Sequence, residues 1–189
     1  MVITAAEHAK QTGWSETEIQ FAVFSYLEAW GRTLILPNFT PHGWHECDLF
    51  SITKSLYFHE IEIKISRADF KADFRKRAKH YTLDGDTRYK YSQKWMPRSF
   101  CYACPRRMIE IEDVPEYAGL IWVDRVKADW DNHWTGYRVE IVKKPPGLKL
   151  SQKMSSEQVF KITNNLWWKF ASTWKKLAKA KIAQVVTNA

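Results

Sequence analysis

Residues 56–65 read Leu-Tyr-Phe-His-Glu-Ile-Glu-Ile-Lys-Ile. Their aromatic and β-branched content predicts a strand, whose side chains alternate between two faces. Glu60, Glu62 and Lys64 then share one face, and Ile61, Ile63 and Ile65 the other. The isoleucine face can enter a core. Two carboxylates and a lysine on the opposite face need something to bind, or one another. Residues 44–52 predict a second strand, with Glu46 and Asp48 on one face and Cys47 and Leu49 on the other. If the two strands form a hairpin, Asp48 sits beside Glu62 and Lys64. Carboxylates this close repel unless a cation lies between them. Such oxygen donors suit a hard divalent ion, Mg²⁺ first, with Mn²⁺ as a substitute. A neighbouring ammonium can orient an attacking water, lower its pKa, or stabilise charge on a phosphate. The set fits metal-assisted hydrolysis of a phosphodiester.

Asp48, followed fourteen positions later by Glu62-Ile63-Lys64, resembles the Asp…(Asp/Glu)-x-Lys signature of the PD-(D/E)XK nuclease superfamily. Glu-Ile-Lys-Ile-Ser-Arg-Ala-Asp-Phe at 62–70, residues 100–105, and Val-Pro-Glu-Tyr-Ala-Gly-Leu at 114–120 resemble its MmcB-like, phage-encoded branch. The likeness covers residues 15–145, and Cys47 stands where a proline usually precedes the aspartate. It implies a restriction-endonuclease-like α/β fold, with a mixed central sheet flanked by helices. It also implies a Mg²⁺-dependent deoxyribonuclease of DNA repair, recombination or phage DNA processing, with endonuclease action ahead of exonuclease. Asp48 and Glu62 would be the metal ligands, joined by the Ile63 carbonyl, and Lys64 would position or activate the water. Glu60 and Glu46 are reserve carboxylates. A glutamate on the first helix would approach the metal, and Glu16 and Glu18 compete for that place.

The elements that must position these groups follow from the pattern. Ser15 opens a helix running to about Trp30, with Gly31 as its stop. Ser15 and Glu18 fit a capping box, which gives Glu18 a structural role. Glu16 lies three residues before Ile19 on the same face, so it is preferred for the site, with Gln20 one turn on. Residues 33–37 predict the first strand. Ser66 caps a second helix running to about His80, with Asp69 as its capping partner. Lys71, Arg75, Lys76, Arg77 and Lys79 can face outward there and meet phosphates. Residues 81–98 read as a polar loop, in which Arg88, Lys90 and Lys94 alternate with aromatics that can stack on bases. Strands are predicted at 99–105, 119–124 and 136–142, in a sheet of about five. The prolines at 145 and 146 divide a domain at 1–147 from a basic helical extension at 148–189, expected to pack on it. That extension predicts one long helix to about Gln184, with the stripe Val159, Ile162, Leu166, Phe170, Trp174 and Leu177.

Composition narrows the class. The 189 residues are 45% hydrophobic and 15% aromatic, enough for a sizeable core and against disorder. A net charge of +8 favours a polyanionic partner, here DNA. No 18-residue apolar run predicts a membrane span, and residues 1–13 lack a signal-type apolar stretch. A cytoplasmic protein is the expectation, in a bacterium or, for a phage protein, in its host. A homo-oligomer is compatible with all of this. Cys47, Cys101 and Cys104 form no disulfide framework, and Cys101 and Cys104 would point to opposite faces of one strand. His42, His45 and His59 lie near the site in sequence but read first as hydrogen-bonded residues.

Two rival readings stand beside the nuclease. One is a non-catalytic DNA- or partner-binding protein on the same scaffold. In the other, Glu60, Glu62 and Lys64 merely pair across a sheet surface.

Overall fold

The computed structural model describes residues 13–32, 34–41, 43–86, 96–126 and 136–187, the last five as backbone alone. The chain divides into two compact units, residues 1–153 and 154–189. The first is α/β. Its sheet has six strands: β1 (Leu34–Phe39), β2 (Cys47–Ile52), β3 (Phe58–Ile63), β4 (Ser99–Pro105), β5 (Ala118–Arg125) and β6 (Tyr137–Lys143). Their order across the sheet is their order along the chain. Pairing is antiparallel from β1 to β3, parallel from β3 to β5, and antiparallel again at β6. The sheet is thus mixed, as expected, and all six predicted strand segments enter it, against the estimate of about five.

Helix α1 (Glu16–Ala29) covers one face. Ser15 caps it by accepting from the Glu18 N–H at 3.2 Å. Gly31, at φ +71°, ends it, and the Arg32 N–H returns to the Leu27 carbonyl. A left-handed residue closes helices in this way, and glycine adopts it without strain. Ile19, Ala22, Val23 and Leu27 pack on Leu49, Ile61, Ile63, Cys101, Ala103, Ile121 and Val123. The isoleucine face of β3 therefore enters the core. Gly119 sits in the middle of the sheet, where a Cβ would lie 2.8 Å from both Cys101 Sγ and the Lys143 carbonyl.

The other face lies under α2 (Arg67–Asp73) and α3 (Arg77–Leu83). Phe70 and Phe100 each meet Tyr102 edge-on at 4.9 Å. One helix from Ser66 to about His80 was expected, and the chain breaks it after Asp73. Around an unbroken helix, Asp73 and Lys79 would lie about 120° apart. The break turns Lys79 back onto the sheet, which is why it is buried and not outward-facing.

The second unit is dominated by α4 (Ser156–Thr187). Its start is a reciprocal cap: Ser155 Oγ accepts from the Gln158 N–H, and Gln158 Oε1 from the Ser155 N–H. Among the described residues, no helix is long and apolar enough to cross a membrane.

Candidate active site

The hairpin β2–β3 sets the site. Leu49 faces Ile61 across it, so Asp48 and Glu62 come together one residue further on. Asp48 Oδ2 accepts from the Ile63 N–H at 2.6 Å. Lys64 follows directly after β3, and its own N–H continues the ladder to the Ala103 carbonyl. The predicted Asp48, Glu62, Ile63 and Lys64 are thus brought together. Gln20 on α1 donates to the Asp48 carbonyl at 2.7 Å. Glu16 is exposed, near enough for its charge to act on Asp48. Glu18 is committed elsewhere, to Arg125 and Tyr137. Glu46 is exposed and lies just before β2 begins.

The charged face of β3 is buried, which the sequence did not disclose. Glu62 is 2% exposed, Lys64 4% and Lys79 0%. Glu62 Oε1 receives Lys64 at 3.1 Å and Lys76 at 2.7 Å, and Oε2 receives Lys79 at 2.8 Å. Lys79 also lies 2.7 Å from Glu60, whose other oxygen accepts from Trp44 Nε1. Asp73 completes the cluster. It pairs with Lys64 at 3.2 Å and Lys76 at 2.9 Å, and it accepts from the Tyr102 hydroxyl at 3.0 Å. His80 Nε2 stands 3.2 Å from Asp73, and its Nδ1 bonds the Tyr117 hydroxyl.

Glu60, Glu62 and Asp73 are matched by Lys64, Lys76 and Lys79. Buried carboxylates are tolerated only with such pairing. Burial works against the Glu62 charge, but Lys79, Lys64 and Lys76 outweigh it and hold the carboxyl below its ordinary range. Burial likewise opposes Asp73, and His80 with the same lysines holds it far down. Burial also opposes the Lys64 charge, yet Glu62 and Asp73 hold its pKa up. Lys64 is therefore a lasting cation, able to orient water or a phosphate oxygen but not to abstract a proton. Glu60 is the weak acid of the set, pushed up by burial and by Glu62.

Asp48 differs from these. Among the described residues it has no ion-pair partner, and its side chain accepts only from the Ile63 N–H. Burial, Glu62 and Glu16 push its carboxyl up to about 7, against the pull of that N–H. It is a fourth acid at the edge of an otherwise balanced cluster.

Lys71, Arg75 and Arg77 are exposed, as expected, and Lys76 is 48% exposed at its side chain while holding Glu62 and Asp73. Lys79 is corrected from a phosphate contact to an internal partner of Glu60 and Glu62. Arg88, Lys90, Lys94 and His42 lie outside the described residues. His59 bonds Ser99 Oγ at 2.6 Å. Cys47, Cys101 and Cys104 are buried free thiols. Sequence reasoning missed Asp73, His80, Tyr102 and Trp44. The one available signal was Asp73 itself, an acid inside a run of lysines and arginines.

Among the described residues, no group of three or more His, Cys, Asp or Glu side chains is placed to hold a metal ion. No family model matches the chain, and no curated protein does. A solved structure similar to this chain is a protein of unknown function from Silicibacter pomeroyi. It has a TM-score of 0.55 at 20% identity, over 87% of this chain and 91% of that one. At that identity the likeness speaks for the fold alone.

Proposed function

We propose that the chain is a metal-dependent deoxyribonuclease, hydrolysing phosphodiester bonds at the Asp48–Glu62–Lys64 site. The observation that carries this reading is Asp48, a half-buried carboxylate set against Glu62 and without an ion-pair partner among the described residues. Two acids so placed suit a divalent ion. Mg²⁺ keeps several waters and is commonly held by one or two carboxylates, so two acids suffice where three are not offered. Asp48, Glu62 and the Ile63 carbonyl would hold it. Bound there, it would supply a more acidic water and neutralise charge on the scissile phosphate. Glu62 has both oxygens engaged, and the half-exposed Lys76 is the partner free to leave. Lys64, fixed between Glu62 and Asp73, keeps its positive charge aimed at the site. Lys71, Arg75 and Arg77 offer contacts to the DNA backbone that carry no sequence information.

The same cluster favours a second reading. Three ammonium groups already balance the buried acids, so the scaffold is complete without a metal and can serve a non-catalytic DNA-binding protein. Cleavage assays separate the two. Supercoiled plasmid and labelled linear, single-stranded and branched DNA are incubated with Mg²⁺, Mn²⁺ or EDTA. Parent protein is compared with Glu62→Gln and Lys64→Ala, each verified as folded. Metal-dependent cutting lost in both variants supports the nuclease. Salt-sensitive binding without cutting on any substrate supports the binding protein.

A further inference from the structure

Helix α4 carries an apolar stripe that the site does not use. Phe160, Trp167, Phe170, Trp174 and Leu177 are each between 58% and 68% exposed, and Trp168 and Ile182, also exposed, lie off this stripe. Their spacing alternates seven, three, four and three, with Phe160, Trp167 and Trp174 at one seam position of a heptad and Thr163, Phe170 and Leu177 at the other. That is the repeat of helices that pack on one another. Lys161, Lys169, Lys175, Lys176 and Lys179 fall outside the seam, Lys181 takes its next position after Trp174, and the flanking positions are Asn164, Leu166, Ala171, Thr173, Ala178 and Ala180. Two such helices can approach antiparallel without bringing like charges together.

We propose that two copies of this chain associate through α4, with the helices antiparallel. In the register that sets Phe160 over Leu177 of the second copy, Trp167 meets Phe170 and the large Trp174 covers the small Thr163. A parallel pair would instead stack each tryptophan on itself, Thr163 on Thr163, and Lys181 on Lys181. The antiparallel pair brings Lys181 to the end that carries Glu157, the only acid of the helix. The five large side chains expose on the order of 600 Å² per helix, given the areas aromatic residues bury. Flanking Leu166 and the alanines bring this toward the roughly 800 Å² per partner of a stable interface.

Light scattering and sedimentation of the full chain test this. The parent is expected at twice the chain mass, and Trp174→Glu at the single mass with the thermal transition of the α/β unit unchanged. Lys176→Glu, outside the seam, stays at twice the mass. Under mild oxidation, the double variant Phe160→Cys/Leu177→Cys gives a cross-linked pair, and Leu177→Cys alone gives none. A parent of single mass at about 100 µM, where even weak pairs associate, overturns the proposal, whether or not that monomer then binds anionic vesicles or DNA through the helix. A dimer that survives Trp174→Glu overturns it too, and cross-linking by Leu177→Cys alone overturns the antiparallel register.

Discussion

The Asp48 carboxylate is held by the Ile63 N–H at 2.6 Å, and Ile63 lies between Glu62 and Lys64 in the chain. One hydrogen bond therefore fixes the acid of β2 against the stretch of chain that carries Glu62 and Lys64. Asp48→Asn keeps an acceptor for that N–H and removes a half-buried charge that Glu62 and Glu16 oppose. At pH 8 the variant is expected to melt a few degrees above the parent, a gain of about 1 kcal/mol. It should also lose DNA cleavage by at least about 100-fold, and lose any rise in melting temperature on adding Mg²⁺. Calorimetry with and without Mg²⁺, beside a plasmid assay, checks all three.

Lys79 is expected to be the costliest lysine to remove. Lys79→Met leaves the buried Glu60 without a cation and Glu62 with Lys64 and Lys76 alone. Breaking a buried pair from one side costs about 3–5 kcal/mol. Adding Glu60→Gln should recover part of that loss, since the two residues are in direct contact. Urea unfolding of the parent, both single variants and the double variant measures the coupling.

Lys76 should act on metal and DNA in opposite directions. Lys76→Ala frees Glu62 Oε1 of one ammonium and removes one cation from the exposed rim. Mn²⁺ affinity, followed by calorimetric titration, is expected to rise several-fold. DNA affinity should fall, and the slope of log affinity against log salt should flatten by about one. Lys71→Ala, which touches no acid of the cluster, should flatten the salt slope and leave Mn²⁺ binding unchanged.

Acid should destabilise the α/β unit through His59. Burial, with Arg32 and Arg98 nearby, lowers its pKa from 6.5 to about 4 in the fold. The ring is neutral in the native state, while the unfolded chain takes up a proton below pH 6.5. Its contribution is complete above that value and is lost between 6.5 and 4. The loss amounts to about 2 kcal/mol once partial solvent access is allowed for. Unfolding free energies of parent and His59→Gln across pH 4–8 should converge toward the acid end.

The hairpin and the grouping of its charged residues were legible because they are local. Alternation assigns Glu60, Glu62 and Lys64 to one face of β3, and a short turn then fixes Asp48 beside them. Ser15, Ser66 and Gly31 announced their helix ends by residue type. The partners of the acids were not legible. Lys79 looks like one more charge in a basic run, and only the break after Asp73 turns it inward. That break carries no proline or glycine; it is sustained by ion pairs to β3 that no window of sequence contains. Asp73 and Tyr102 meet across twenty-nine positions for the same reason. Glu16 and Gln20 fell between the two cases, since helical spacing gave their face but not their distance from Asp48.

Strand order along the sheet repeats strand order along the chain. Each strand therefore pairs with the one that precedes it and the one that follows it in sequence, and none has to cross back over a strand already laid. The loops that must close to build the sheet are kept as short as six strands and their intervening helices allow, which holds down the entropy of closure on the way to the fold.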